Sequence, residues 1–131
     1  MNIRKRLAAT AVTAALAGAG LVGTASTASA ATCYGSAHSY TKPEGYVWNP
    51  GTAGKYYTTT SNCADINIKT TRSVKVTACF YPTNADPFCA AGGYKTTTAG
   101  VWKVLATDVK DGTKFKFMFY SPTASSGVWA A

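Results

Sequence analysis

Three stretches of this sequence, at positions 65–69, 73–80 and 114–120, have apolar residues at every second position. In the last stretch, Phe115, Phe117 and Phe119 are separated by a lysine and a methionine, so the three rings share one side. A period of two residues predicts β-strands with one buried and one solvated face, which is typical of antiparallel sheets. We therefore predict that antiparallel sheet dominates the chain.

A further strand is predicted at 101–109, and shorter ones at 55–60, 94–98 and 127–130. About seven short strands separated by turn signals predict an all-β sandwich, with a small β-barrel as the alternative. No stretch after residue 31 has a helical stripe. The predicted core consists of the apolar faces of these strands: Ile66, Ile68, Val74, Val76, Phe80, Leu105, Phe115, Phe117 and Phe119.

The first thirty residues have the three zones of a secretory signal peptide. Arg4, Lys5 and Arg6 are followed by an uncharged Ala/Gly/Leu/Val stretch, and Ala28-Ser29-Ala30 supplies the small residues of a cleavage site. The apolar stretch is short and weakly hydrophobic for a spanning helix, and no second one follows. We predict a signal peptide at 1–30, a single secreted domain at 31–131 and no membrane insertion.

The charge of the chain is positive both before and after removal of the signal. The whole chain carries a formal charge of +8, and residues 31–131 keep ten basic and five acidic side chains, or about +5. Such an excess favours anionic partners, such as cell-wall polymers or acidic proteins. The lysines are scattered singly rather than clustered in a patch, so we expect no binding to nucleic acid.

All four cysteines lie in the predicted secreted part, and an even number in a small exported domain indicates two disulfides. Three pairings are possible. We favour Cys33–Cys63 with Cys79–Cys89, because sequential pairing needs no threading and the second pair flanks one turn-rich loop. The alternation in 73–80 also places Cys79 on the outer face with Lys75 and Thr77, so that the bridge would clamp the 82–88 loop over the sheet. No Cys-x-x-Cys pair occurs, and we expect no metal or cofactor.

Segment 33–62 is rich in tyrosine, tryptophan, glycine and proline, with little aliphatic content. Aromatic side chains in loops are amphipathic and often form contact surfaces. The alternative is that these rings cover one end of the sandwich. On the first interpretation, the predicted ligand-binding residues are Tyr46, Trp48, Tyr56 and Tyr57. Because turn residues surround Tyr46 and Trp48, we expect no strand or helix to bury both rings.

Candidate catalytic groups are few after the signal. His38, Glu44 and Arg72 are the single histidine, glutamate and arginine of 31–131, and a small secreted ribonuclease would use such a trio. Ribonucleases of the microbial guanyl-specific family, however, place the histidine late in the chain and pack a helix on the sheet. No Gly-x-Ser-x-Gly motif or phosphate-binding glycine loop occurs. We expect no enzymatic activity.

Cys33-Tyr34-Gly35-Ser36-Ala37 and the later segment 62–67 resemble small exported proteins of actinomycetes that have no assigned function, a resemblance that implies no activity. The chain is also similar in architecture to the proteinaceous α-amylase inhibitors, two-disulfide sandwiches with a Trp-Arg-Tyr triplet in the first cysteine loop. Here Asn49 follows Trp48, so the triplet is missing. The apoproteins of enediyne chromoproteins are similar in size and in the short cysteine loop, but they are typically acidic.

The sequence thus favours a secreted, monomeric, non-catalytic binding protein, either an inhibitor of an extracellular enzyme or a binder of cell-wall or other polysaccharide. Rigid disulfide-stapled loops suit this role because less ordering is needed on binding. The alternatives are a surface-associated structural protein and a small secreted enzyme or toxin. The expected partner is an extracellular protein or polysaccharide.

Overall fold

Ten strands form two antiparallel sheets in the computed structural model, which describes residues 30–131. The predicted signal peptide, apart from Ala30, lies outside the described residues. The strands are His38–Lys42 (β1), Trp48–Asn49 (β2), Tyr57–Thr58 (β3), Ile66–Thr70 (β4), Lys75–Phe80 (β5), Phe88–Cys89 (β6), Lys95–Thr96 (β7), Trp102–Ala106 (β8), Lys114–Phe119 (β9) and Ser125–Ala130 (β10).

The four-stranded sheet has the strand order β1-β10-β4-β8, and the six-stranded sheet has the order β2-β9-β5-β6, with β3 beside β9 and β7 beside β5. The two sheets do not close into a barrel, which confirms the predicted sandwich. All seven predicted strands are present. The three further strands are β1, which carries few apolar residues, and β2 and β6, whose two residues are too few to show a period.

The core lies between the sheets and contains every predicted core residue except Val74, which is half-buried at its margin. Tyr40 and Trp129 are the large side chains that the sequence pattern did not predict there. The Trp129 ring lies 4.4 Å from that of Tyr57 and 5.6 Å from that of Phe115, centroid to centroid. A single indole from β10 therefore joins the inner faces of both sheets.

Lys42, at the end of β1, is almost fully buried, with 1% of its surface exposed. Its Nζ donates hydrogen bonds to the carbonyl oxygens of Tyr46 at 2.6 Å and Thr123 at 2.5 Å. Burial lowers the pKa of Lys42, and the Glu44 carboxylate opposes that effect. These two hydrogen bonds connect the turn after β1 to the segment that leads into β10.

Both predicted disulfides are present, Cys33–Cys63 and Cys79–Cys89, which confirms the sequential pairing. Cys79 and Cys89 are directly opposed in the β5–β6 pair. Cys79 lies opposite the core-facing residues of β5, as predicted, but this outer position is buried, and so is Thr77. The bridge therefore fastens β5 to β6 at the base of the 82–88 loop, on the side of the sheet away from the core.

Residues 30–35 are helical, which the sequence pattern did not predict. The segment is held by Cys33 and by Tyr34, whose ring stacks on Trp102 with centroids 4.4 Å apart and planes 7° apart. One or two helical turns are too short to show an apolar stripe. Within 30–131, no helix has the length and apolar character needed to cross a membrane.

Candidate functional site

The six-stranded sheet has an outer face, directed away from the core, that is rich in aromatic rings and lysines. Strand register defines this face, because directly paired residues in antiparallel strands point to the same side. Trp48 pairs with Met118, and Met118 pairs with Thr77, while Phe117 and Phe119 on either side of Met118 enter the core. We call this surface the outer face; its members are Trp48, Tyr56, Lys75, Thr77, Tyr81, Tyr94, Lys114, Lys116, Met118 and Tyr120.

The first cluster on the outer face combines two tyrosines with two lysines. The rings of Tyr56 and Tyr81 lie 4.9 Å apart, and the Lys116 ammonium lies 5.3 Å from the first centroid and 5.8 Å from the second. Lys114 lies 5.7 Å from the Tyr56 ring. Lys116 also donates a hydrogen bond to the carbonyl of Thr52 at 3.3 Å. At these distances the ring faces attract the ammonium groups and hold them in place.

The Tyr81 side chain is half-buried, although it belongs to the outer face. Burial raises the pKa of the Tyr81 hydroxyl, and the neighbouring Tyr56 adds to the shift. Like any tyrosine hydroxyl at neutral pH, it is protonated and can donate a hydrogen bond to a ligand on this face.

A second cluster lies at the other end of β9, where Tyr120 follows the strand. The Tyr120 and Tyr94 rings meet edge to face with centroids 5.5 Å apart, and Lys75 lies 5.1 Å from the Tyr120 ring. Tyr120 is 66% exposed and Tyr94 is 41% exposed, so both rings are available to a partner. The outer face therefore carries one tyrosine–lysine cluster at each end of its central strands.

Trp48 and Met118 lie between the two clusters, and both are half-buried. Trp48 belongs to β2, a strand that the sequence pattern did not predict, but the two rings of Tyr46 and Trp48 are not both buried. Tyr46 is 51% exposed, and its ring covers Gly51 closely, since a Cβ on that glycine would lie 2.9 Å from Tyr46 Cδ2. The Thr77 hydroxyl oxygen is buried and has no hydrogen-bond partner among the described residues.

Tyr57, the fourth predicted binding residue, points in the opposite direction. Its ring packs on Trp129 and lies 5.8 Å from the Phe115 ring, and its hydroxyl donates to Asn49 Oδ1 at 2.5 Å. Burial raises the pKa of this hydroxyl. The structure thus brings Trp48 and Tyr56 onto the outer face and places Tyr57 on the inner side of the sheet, where it supports the core.

Tyr81, Tyr94 and Tyr120 were not among the predicted binding residues, because the prediction was limited to the aromatic residues of 33–62. The signal that could have located the face is the alternation in 114–120. The positions between the phenylalanines in that stretch form an outward-facing row that ends in Tyr120.

The candidate catalytic residues are dispersed. His38 packs against Trp129 with ring centroids 4.7 Å apart, while the Glu44 Oε1 accepts a hydrogen bond from the Ala124 amide at 2.9 Å. These two residues lie near opposite ends of β1, which spans about 13 Å at the usual rise per residue. Arg72 lies in the turn between β4 and β5. Across residues 30–131, no three His, Cys, Asp or Glu side chains are grouped so that they could hold a metal ion.

Comparison with protein-family models, with curated proteins and with solved structures finds no match to this chain.

Proposed function

We propose that this chain is a secreted, non-catalytic binding protein that attaches to an anionic polysaccharide through the outer face. The observation that carries the proposal is the pairing of lysines with tyrosine rings on one sheet surface, at Lys75–Tyr120 and at Lys116 between Tyr56 and Tyr81.

The chemistry of the two partners is complementary. Sugar rings present apolar C–H faces that stack on exposed aromatic side chains, and tyrosine adds a hydroxyl at the wet end of its ring. Acidic groups along such a polymer would meet Lys75 and Lys114, which are exposed. Neither β5 nor β9 contains an acidic residue that would compete for these lysines.

Secretion supports this class of partner. The predicted signal peptide directs the chain out of the cell, and two disulfides are typical of proteins that fold in an oxidising compartment. Wall and matrix polymers are abundant there. Intact-mass measurement of the protein recovered from culture supernatant should give a chain that begins at Ala31; recovery of a chain that still starts at Met1 would contradict secretion by signal cleavage.

The proposal is tested by measuring the affinity of the protein for polygalacturonate, a carboxylated polysaccharide, with neutral dextran and a single-stranded DNA oligonucleotide as comparison ligands. Truncating an exposed anchor ring should weaken binding by about 1–3 kcal/mol, so Tyr120→Ala and Tyr56→Ala should each lower the affinity for polygalacturonate at least about fivefold. Raising the salt concentration should also weaken binding, because exposed charges are screened.

Lys69 provides a matched control. It lies 5.1 Å from the Trp102 ring, the same geometry as Lys75 over Tyr120, but on the four-stranded sheet. Lys75→Gln should reduce the affinity for polygalacturonate and Lys69→Gln should leave it unchanged. Equal effects of the two variants would contradict a site on the outer face. Tighter binding to the oligonucleotide than to polygalacturonate would indicate that the partner is a nucleic acid and not a polysaccharide.

A second candidate function is inhibition of an extracellular enzyme. It is favoured by the 82–88 loop, whose residues are all exposed and whose base is fastened by the Cys79–Cys89 bridge. A screen against secreted glycosidases and proteases would test this role. Pro82→Ser and Pro87→Ser should abolish inhibition that depends on the loop and leave the affinity for polygalacturonate unchanged.

A further inference from the structure

A cleft of about 720 Å³ opens between the two sheets, on the side where β8 and β6 form their free edges. The floor of the cleft is the end of the hydrophobic core, with Phe80, Leu105 and Val109 among its lining residues. The sandwich stays open here because β6 contributes only two residues to the sheet. Small-molecule sites in proteins have similar volumes and similar apolar linings.

Phe88 is a large apolar side chain that is exposed at the edge of this cleft. It is 58% exposed, although its ring lies 5.2 Å from the ring of Phe80 in the core. Val104, which lines the opposite edge on β8, is also exposed. The Val104 side chain lies on the side of β8 away from the core, because Val104 pairs with Asn67, which alternates with the core residues Ile66 and Ile68. Phe88 therefore extends the core surface into solvent, where a bound apolar group would cover it.

The rim of the cleft is positively charged. Three lysines line it, Lys95, Lys110 and Lys114, against the single carboxylate of Asp108. The Lys95 ammonium lies over the 91–92 turn, 3.0 Å from the position of a Cβ on Gly92. Lys114 is directed toward the outer face through its contact with Tyr56, so Lys95 and Lys110 are the cations that remain for the cleft.

We infer that this cleft binds a small amphipathic carboxylate, with its apolar body against Phe80, Phe88 and Leu105 and its carboxylate at the Lys95 and Lys110 rim. The inference goes beyond the proposed polysaccharide binding and rests on Phe80, Phe88, Lys95 and Lys110, which are not part of the outer face, while Tyr81 and Lys114 of the outer face border the cleft. Phe80 and Phe88 pair with each other on the inner side of β5 and β6, whereas the outer face lies on the opposite side of the same sheet.

The test uses decanoate as the probe, below its critical micelle concentration, with decanol and decyltrimethylammonium as comparison ligands in calorimetric titrations. The protein should bind decanoate more tightly than decanol and bind the cation least. Phe88→Ser should weaken decanoate binding about tenfold or more, since burial of an aromatic side chain stabilises a complex by more than the 1.4 kcal/mol that a tenfold change represents. Ala90→Asp, which places a charge at the margin of the core inside the cleft, should have the same effect and serves if Phe88→Ser fails to fold.

The charge of the rim is tested separately. Replacing Lys95 and Lys110 together by glutamine should lower the affinity for decanoate about threefold to tenfold and leave the affinity for decanol unchanged. Tyr120→Ser, which truncates an equally exposed ring on the outer face, is the control and should keep decanoate binding within about twofold of the unmodified protein, because distant sites act independently.

Three results would overturn the inference. The first is the absence of decanoate binding by the folded protein, and the second is binding that Phe88→Ser and Ala90→Asp leave intact. The third is a concentration-dependent dimer that Phe88→Ser dissociates, which would make the cleft an interface between two copies of the chain. None of these results would contradict polysaccharide binding by the outer face, because that proposal depends on Tyr56 and Tyr120.

Discussion

Gly127 lies in the middle of β10, between Tyr40 on β1 and Thr70 on β4, and it is the residue whose replacement should most directly disturb the sandwich. A Cβ at this position would lie 2.2 Å from the carbonyl oxygen of Lys69 and 3.0 Å from the Cα of Thr70. Both neighbours are backbone atoms, so no side-chain rotation can relieve the overlap. Gly127→Ala therefore requires β10 and β4 to move apart by about an ångström or more.

The cost of that movement follows from the contacts beside Gly127. The Thr71 amide donates to the carbonyl of Ser126 at 3.0 Å and the Thr71 hydroxyl donates to the same oxygen at 3.1 Å, and both bonds would be stretched beyond bonding distance. Each contributes about 1 kcal/mol, and overpacking adds about 1–3 kcal/mol. We expect Gly127→Ala to lower the free energy of unfolding by about 3–5 kcal/mol.

Urea denaturation of the purified exported protein, followed by tryptophan fluorescence, measures this quantity, and the melting temperature should fall by about 12 °C or more. Gly35→Ala is the matched control, because a Cβ there meets nothing within 4 Å. That variant should stay within about 1 kcal/mol of the unmodified protein. A Gly127→Ala variant that unfolds at the same urea concentration as the control would show that β10 does not pack against β4 in this register.

Three further predictions concern stability. Burial raises the pKa of Tyr40, Tyr57 and Tyr81 above the ordinary value of 10.0, so their contribution to the free energy of unfolding is complete below pH 10 and is lost as the pH rises through the folded-state pKa values. Urea titrations between pH 8 and about pH 12 should show this loss of stability, and the loss should be smaller in Tyr40→Phe. Replacing both cysteines of the Cys79–Cys89 bridge by serine should cost about 2.7 kcal/mol for its ten-residue separation, and a change below about 1 kcal/mol would contradict the loop-entropy argument. Trp48→Ala should cost only about 1–2 kcal/mol by thermal melt because the ring is half-buried, whereas a loss above about 3 kcal/mol would make Trp48 a core residue.

The fold was predictable where a strand was both long enough and apolar enough to show its period, whereas β1, with five residues but few apolar ones, was not predicted. The alternation in 65–69, 73–80 and 114–120 identified β4, β5 and β9 and nearly all of their core residues. The sequential disulfide pairing was predictable because sequence neighbours in antiparallel sheets are also neighbours in space.

The roles of Tyr46, Trp48, Tyr56 and Tyr57 were not predictable, because these residues lie on strands of two residues or in the loops beside them. Tyr56 and Tyr57 are adjacent in sequence, yet one faces solvent and the other packs on Trp129, since neighbouring residues in a strand point to opposite sides. Which of them is buried depends on the pairing of β3 with β9. Lys42 was unpredictable for a related reason, since its carbonyl partners lie as many as 81 residues away along the chain.

The proposed polysaccharide face and the proposed carboxylate cleft use opposite sides of the six-stranded sheet and meet at the end of β5, where Tyr81 and Lys114 border both. Tyr81, which follows β5, contributes to the outer face, while Phe80 and its partner Phe88 line the cleft. The Cys79–Cys89 bridge holds β6 against β5 at the position where these two surfaces adjoin. The Cys33–Cys63 bridge instead packs with Ala130 beside the four-stranded sheet, away from both surfaces. The shorter disulfide therefore positions the residues proposed for binding, and the longer one fastens the N-terminal segment to the fold.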